Sequence, residues 1–557
     1  MMSTENRARP PAESPSEWRR GWLLLTLLVA ASTAGGAERN AVAEFQESLG
    51  SVVPALAAKY RTPGVAIALL RAGEPTRFHV YGVADSTTNR TVTPDTAFQV
   101  GSISKLVFSA LVARLAQQGR IDYDAPIARY SRSVTLPADP DFERVTMRRL
   151  LSHSAGLAAV SYLGRLERDT SATLGDSLLG RPSSSTAVRI VRRPGSVWMY
   201  SGANYALVQQ AVQDVTGRRL PELARRELFI PLGMKHASFA AEFADGEDVA
   251  AVHNPDGTRA PRRYFTEESA ASLAISARDL ATFMESVFLR EDSKSSISAA
   301  TRTLLTTPIS PAAGEPSSSP FTIALAPEAV REPLIARYGV GPLIYSLPDG
   351  RRLIGHGGSI WGTKAWAMVV PESGEGIVVL ANGEAGNGVL VNVLCRWRRA
   401  LDGAGVAQQN ACHEHGHSYL HMLYATEGIE SAIEGIRAQF FDPNSRMFIR
   451  ERTATDVAGA IVAFSTAENR TQALADALRL TALNVELFPE SPYAHASLAS
   501  AYVARGDLAA ARAQIDCVLY LNPAGASWIG SLTDSIRPGT PSPSPAEASV
   551  AKHVCSQ

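Results

Sequence analysis

From residue 62 onward, short apolar runs alternate with turn chemistry. Val65-Ala66-Ile67-Ala68-Leu69-Leu70 is a continuous apolar run, Ala72-Gly73-Glu74-Pro75 supplies turn residues, and Phe78 to Val83 is mostly apolar again. This pattern predicts two strands joined by a turn. A comparable set occupies residues 340–381: Gly341 to Tyr345, Leu353-Ile354, Ala365 to Val370 and Gly376 to Leu380. Between the two sets run helical patterns, among them Leu106 to Gln117 and Ala206 to Val215. Strands near both ends with helices between them predict an α/β fold of the α+β type. In it one antiparallel sheet is flanked by helices and carries an inserted helical domain. This unit is placed at residues 41–400.

A polar, histidine-rich connector follows at residues 401–418, and then a helical region over 419–525. Within it Leu498, Ala499, Tyr502, Ala511, Ile515, Val518 and Pro523 fit the spacing of a tetratricopeptide repeat. Ala477 and Pro489 precede Ala511 and Pro523 by the same interval, which predicts a small α-helical repeat domain. Such repeats present a concave surface, so a protein partner is expected there. Residues 526–557, with Gly539-Thr540-Pro541-Ser542-Pro543-Ser544-Pro545, have the composition of a disordered tail.

The other end reads as an export signal over residues 1–37. Arg19 and Arg20 lead into the apolar run Gly21 to Ala30, and small residues end in Gly35-Gly36-Ala37, a cleavage-site pattern. The run is short for a membrane span. A periplasmic or secreted protein is expected, with an uncleaved membrane anchor as the alternative.

Composition narrows the picture in three ways. Lys+Arg and Asp+Glu are both 54, so electrostatic capture of nucleic acid is not expected. The lysines are only Lys59, Lys105, Lys235, Lys294, Lys364 and Lys552, which makes a lysine in a chemically suggestive place more informative. The four cysteines are too few for a disulfide framework in 557 residues. Pairing of Cys395 with Cys412 stays open.

Candidate chemistry begins with Gly101-Ser102-Ile103-Ser104-Lys105, directly before a strongly apolar helix. A three-residue spacing puts Ser102 and Lys105 on one helical face, roughly 5–6 Å apart at Cβ. A neutral amine there can take the hydroxyl proton, and the positive helix end favours the developing alkoxide. The same spacing recurs in Ser549-Val550-Ala551-Lys552, where no helix or core supports it. A second segment, Pro194 to Tyr205, holds Tyr200 before a helix; a tyrosine serves as base where a cation stabilises its phenolate. A third, Gly355-His356-Gly357-Gly358-Ser359, lies between candidate strands, and its glycines allow close backbone approach to a substrate. The run Cys412-His413-Glu414-His415-Gly416-His417, with His421, invites a metal reading, but its spacing matches no specific zinc pattern, and no metal site is assigned.

The three segments in this order resemble the serine beta-lactamase-related hydrolases: class C beta-lactamases, DD-peptidases, D-aminopeptidases and related esterases. Their order is Ser-x-x-Lys, Tyr-x-Asn, then Lys-Thr-Gly or His-x-Gly. Asp95-Thr96-Ala97-Phe98, Leu150 to Leu157 and Pro371-Glu372-Ser373-Gly374 also match, and the resemblance covers about residues 45–395. It implies an acyl-enzyme on Ser102, with Lys105 as proton acceptor and Tyr200 as assisting base and acid. It further implies substrate orientation by His356 and the Gly357-Gly358 strand, and an oxyanion hole from the N–H groups of Ser102 and Ser359. It implies no metal or organic cofactor, and His153 is read as structural. The substrate is expected to be a small amide, peptide or ester.

Two departures stand out. Gly202 occupies the place of the motif asparagine, with Asn204 two residues on as a candidate substitute, and the third motif lacks lysine and threonine. Both point away from efficient beta-lactam hydrolysis. They keep open a non-catalytic protein that binds cell-wall peptides.

Overall fold

The computed structural model describes residues 40–134, 139–167, 171–181, 186–240, 248–290, 297–309 and 336–522. The expected export signal and the expected tail lie outside the described residues. Among the described residues, no helix is long and apolar enough to cross a membrane.

Helix α1 (residues 40–59) leads into β1 (Gly64–Arg71), β2 (Arg77–Asp85) and β3 (Arg90–Thr91). After β4 (Ala97–Gln99) come α2 (Ile103–Gln117), α3 (Gly202–Thr216) and α4 (Glu268–Ala271). The chain returns through β5 (Ala336–Tyr338), β6 (Leu343–Ser346), β7 (Arg352–Ile360), β8 (Thr363–Val370) and β9 (Glu375–Ala381). Among the described residues the main sheet is eight-stranded and antiparallel, in the order β3-β2-β1-β9-β8-β7-β6-β5. The fold is therefore α/β, an antiparallel sheet flanked by helices, as the apolar pattern predicts.

The continuous apolar run of β1 has a direct cause: the strand is covered on both faces. Ala66, Ala68 and Leu70 join the core beneath α2 and α3. Val65, Ile67 and Leu69 face the opposite core, shared with α1 and with α5 (Asn387–Leu401). Period-two alternation thus divides one strand between two hydrophobic layers. α2 runs through the first core, with twelve of its fifteen residues buried, which explains why its sequence has no polar face.

The segment at 401–418 is ordered rather than plain linker. It carries a short helix, Val406–Gln409, and Cys412 is disulfide-bonded to Cys395 of α5. Beyond it lie α6 (Gly416–Phe441), broken at Gly428 where φ is +86°, and α7 (Thr453–Ala463). These are followed by α8 (Arg470–Leu487), α9 (Pro492–Arg505) and α10 (Leu508–Leu521). In the last pair Leu498, Ala499, Ala511, Ile515 and Val518 are buried. The hydrophobic core of α6–α8 includes Tyr60 and Ala385, so these helices share a core with the sheet unit.

Candidate active site

Ser102 sits at the N-terminal cap of α2, with φ −65° and ψ −9°. Gly101 precedes it at φ +51°, a conformation that favours glycine. A Cβ on Gly101 would lie 2.8–2.9 Å from the backbone of Ser359, and one on Gly358 would lie 1.7 Å from the Val100 carbonyl. The two glycines therefore let the Ser102 turn and strand β7 touch backbone to backbone. Thr363 adds a second tie, its hydroxyl donating to the Gln99 carbonyl at 2.6 Å.

One turn into α2, Lys105 is 3 % exposed. Its Nζ lies 3.0 Å from Ser102 Oγ and donates to the Ala270 carbonyl of α4 at 2.8 Å. The same Nζ stands 5.0 Å from the centroid of the Tyr200 ring. The structure thus gathers Ser102, Lys105 and Tyr200, whose segments are nearly a hundred residues apart in the chain.

Tyr200 precedes α3, whose cap is Ser201: its hydroxyl accepts from Ala203 N at 3.2 Å and donates to the Ala158 carbonyl at 2.6 Å. The Tyr200 ring packs on His153, 4.3 Å between centroids. His153 Nδ1 accepts from Ser201 N at 3.3 Å and from Asn204 Nδ2 at 2.9 Å. Burial, with Lys105 and His356 adding repulsion, holds its imidazolium form well below the ordinary range. His153 is a buried support for the Tyr200 segment. Asn204 is turned inward to the same histidine and 1 % exposed, so it does not take the place of the motif asparagine.

His356 is also buried, at 3 % exposure. Its Nδ1 donates to the Gly357 carbonyl, which leaves Nε2 to accept from the Tyr338 hydroxyl at 2.7 Å. Burial pushes its imidazolium form down to about 3. It therefore holds Tyr338 as a neutral ring, and Tyr338 in turn packs edge-on against His153 at 4.8 Å. The sequence reading missed Tyr338, since nothing local marks a tyrosine on a three-residue strand.

Next to His356, Gly357 and Gly358 are half-buried and Ser359 is exposed. Strand β6 pairs with β7 only as far as Gly355, while β8 covers the other side through Ile360. Among the described strands, residues 356–360 thus keep one open edge beside Ser102.

The turn that follows is tied from below and from outside. Lys364 and Glu384 form a buried ion pair at 2.7 Å; Glu384 also accepts from Gly362 N, and Lys364 donates to the Ile360 carbonyl. Trp361 donates to Asn254 Oδ1 at 3.0 Å and packs on Phe464 of the C-terminal helices, 4.2 Å between centroids. His421 of α6 meets the same tryptophan at 5.6 Å. The scarcity of lysine was a signal that could have singled out Lys364. His417 and His421 do share a face of α6, with ring centroids 5.9 Å apart. Among the described residues no group of three or more His, Cys, Asp or Glu side chains converges as metal ligands would.

A family model described as Beta-lactamase matches residues 40–393, the stretch that holds Ser102, Lys105, Tyr200 and His356. The chain belongs to the beta-lactamase family. This is a family of serine hydrolases, and penicillin-binding proteins and amidases stand among its neighbours here. The beta-lactamase-family region is 29% identical over 341 residues to penicillin-binding protein 4 of Amycolatopsis lactamdurans, covering 59% of this chain and 83% of that one. It is 21% identical over 351 residues to Protein flp of Staphylococcus aureus (strain MW2), covering 61% of this chain and 63% of that one. For another relative, from Bacillus subtilis, the match spans 52% of its length, so the chain spans about half to two thirds of some relatives it matches. Two solved structures share the fold. The octameric penicillin-binding protein homologue from Pyrococcus abyssi has a TM-score of 0.54 at 22% identity, over 64% of this chain and 78% of that one. D-amino acid amidase from Ochrobactrum anthropi SV3 has a TM-score of 0.52 at 21% identity, over 64% and 98%.

Proposed function

We propose that the protein is an exported serine hydrolase that cleaves a small amide, peptide or ester through a covalent acyl-enzyme on Ser102. The observation that carries this reading is the 3.0 Å contact between Lys105 Nζ and Ser102 Oγ at the start of a buried helix, beneath the Tyr200 ring. In acylation, Lys105 takes the Ser102 proton as Oγ bonds to the carbonyl carbon. The bond to the leaving group then breaks, and that group departs with a proton relayed through Lys105 and Tyr200. The N–H groups of Ser102 and Ser359, on backbones that Gly101 brings into contact, stabilise the oxyanion. Water then adds to the acyl ester, its proton passing to the same pair, and Ser102 leaves reprotonated. The chemistry asks nothing of a metal or organic cofactor. The open edge at 356–360 suits a peptide-like ligand laid alongside it. The Cys395–Cys412 bond supports an oxidising compartment such as the periplasm.

The test is intact-mass measurement after incubation with a fluorophosphonate probe and, separately, a penicillin. One adduct per chain that disappears in Ser102→Ala is expected, with the lifetime of the penicillin adduct separating turnover from mere acceptance. Absence of any adduct in folded protein would instead mean a pocket that binds without reacting.

A further inference from the structure

The proposed hydrolase reading leaves one feature of the site unexplained: a glycine stands where the second motif carries a polar side chain. The structure shows what fills that space. A Cβ on Gly202 would lie 2.7 and 2.8 Å from two ring carbons of Tyr162, and 3.1 Å from the Val160 carbonyl. Real Cβ atoms do not approach that closely, so any side chain at 202 requires the Tyr162 ring to move.

The ring is not placed there loosely. Gly202 N donates to the Val160 carbonyl at 2.7 Å, and Val160 N donates to Ser201 Oγ at 3.1 Å, which fastens the segment before Tyr162 to the start of α3. After Tyr162 the chain is fastened again by paired backbone bonds between Arg165 and Tyr264, at 2.8 and 2.9 Å. Between the two anchors Tyr162 packs against Phe265, Ala271 and Ile360. Ile360 directly follows Ser359, so this aromatic ring lies between the Tyr200 segment and the strand that carries the open edge.

We propose that Tyr162 is a specificity-determining residue: its ring substitutes an apolar surface for the polar side chain at position 202, and the site takes substrates whose acyl chain is apolar next to the scissile carbonyl. An acyl chain with an amide at that place loses a hydrogen-bond partner and meets hydrocarbon instead, which disfavours it on the order of tenfold. The inference rests on acyl transfer at Ser102.

Two p-nitrophenyl esters of similar shape, the pentanoate and the N-acetylglycinate, test it. Their ratio of kcat/KM cancels the intrinsic difference in reactivity when variants are compared with the parent. Tyr162→Ala combined with Gly202→Asn is expected to shift the ratio at least about tenfold towards the N-acetylglycinate. Tyr162→Gln, which keeps much of the volume and needs no rebuilding at Gly202, is expected to shift it severalfold in the same direction. A ratio within twofold of the parent in Tyr162→Gln, with both esters still turned over, would overturn the proposal. If neither ester gives Ser102-dependent turnover or a Ser102 adduct in the parent protein, the hydrolase reading itself fails, and the specificity inference falls with it.

Discussion

Lys105 donates to a main-chain carbonyl on one side and meets the Ser102 hydroxyl on the other, so its position is fixed by the fold before any substrate arrives. If Lys105 is the base of the proposed acylation, Lys105→Met, an isosteric apolar replacement, slows Ser102 adduct formation by about 10²–10⁴-fold, the usual range for a lost general base. The check is the time course of adduct formation by mass. Ser102 and Lys105 were legible in the sequence because their relation is local, one helical turn, and a buried helix follows. Tyr162 and Tyr338 were not legible. Each acts on a residue distant in sequence, and a tyrosine in a loop or short strand carries no signal until the sheet has brought its partner near. Gly202 was legible as a departure from the motif, but its cause was not.

Among the elements, the β7–β8 turn shows how a sheet holds its open edge in place. Lys364 and Glu384 satisfy each other and the turn's own backbone while almost fully buried. Lys364→Met leaves a buried carboxylate without its cation and is expected to cost about 3–5 kcal/mol. Lys364→Met with Glu384→Gln should recover part of that loss, as read by urea unfolding. The start of α6 makes a second prediction. Burial holds the imidazolium forms of His417 and His421 down to about 3, like that of His356. Below about pH 6.5 the unfolded chain takes up protons that these folded rings refuse, so stability falls as pH drops from about 6.5 to about 3. Each ring contributes up to about 1.4 kcal/mol per pH unit within that window, and nothing above it. His421→Met is expected to lower proton uptake on unfolding at pH 5 by about one proton, measurable by calorimetry in buffers of different ionisation heat. The strands themselves were readable, since runs such as Val65 to Leu70 are apolar on both faces. Their pairing order was not, because it depends on contacts between the two ends of the unit.

At the scale of the whole molecule, the boundary near residue 400 that composition suggests does not separate two hydrophobic cores. Tyr60, just past the end of α1, and Ala385 from the sheet unit are buried together with Leu420, Ile436 and Leu480. A chain cut after Leu401 would expose that shared surface and lose Cys412, the partner of Cys395. It is expected to aggregate, whereas calorimetry of the full chain should show the sheet unit and α6–α8 melting together. The helical character of this region was legible from its periodicity. Its attachment was not, because the contacts are made by single residues such as Trp361 and Phe464 that sequence patterns treat as ordinary apolar positions. That packed pair has a consequence for descent. A recombination event that delivered foreign helices after residue 415 would have to bring a ring to fit Trp361, the place Phe464 fills in this chain, so a workable exchange carries both rings together.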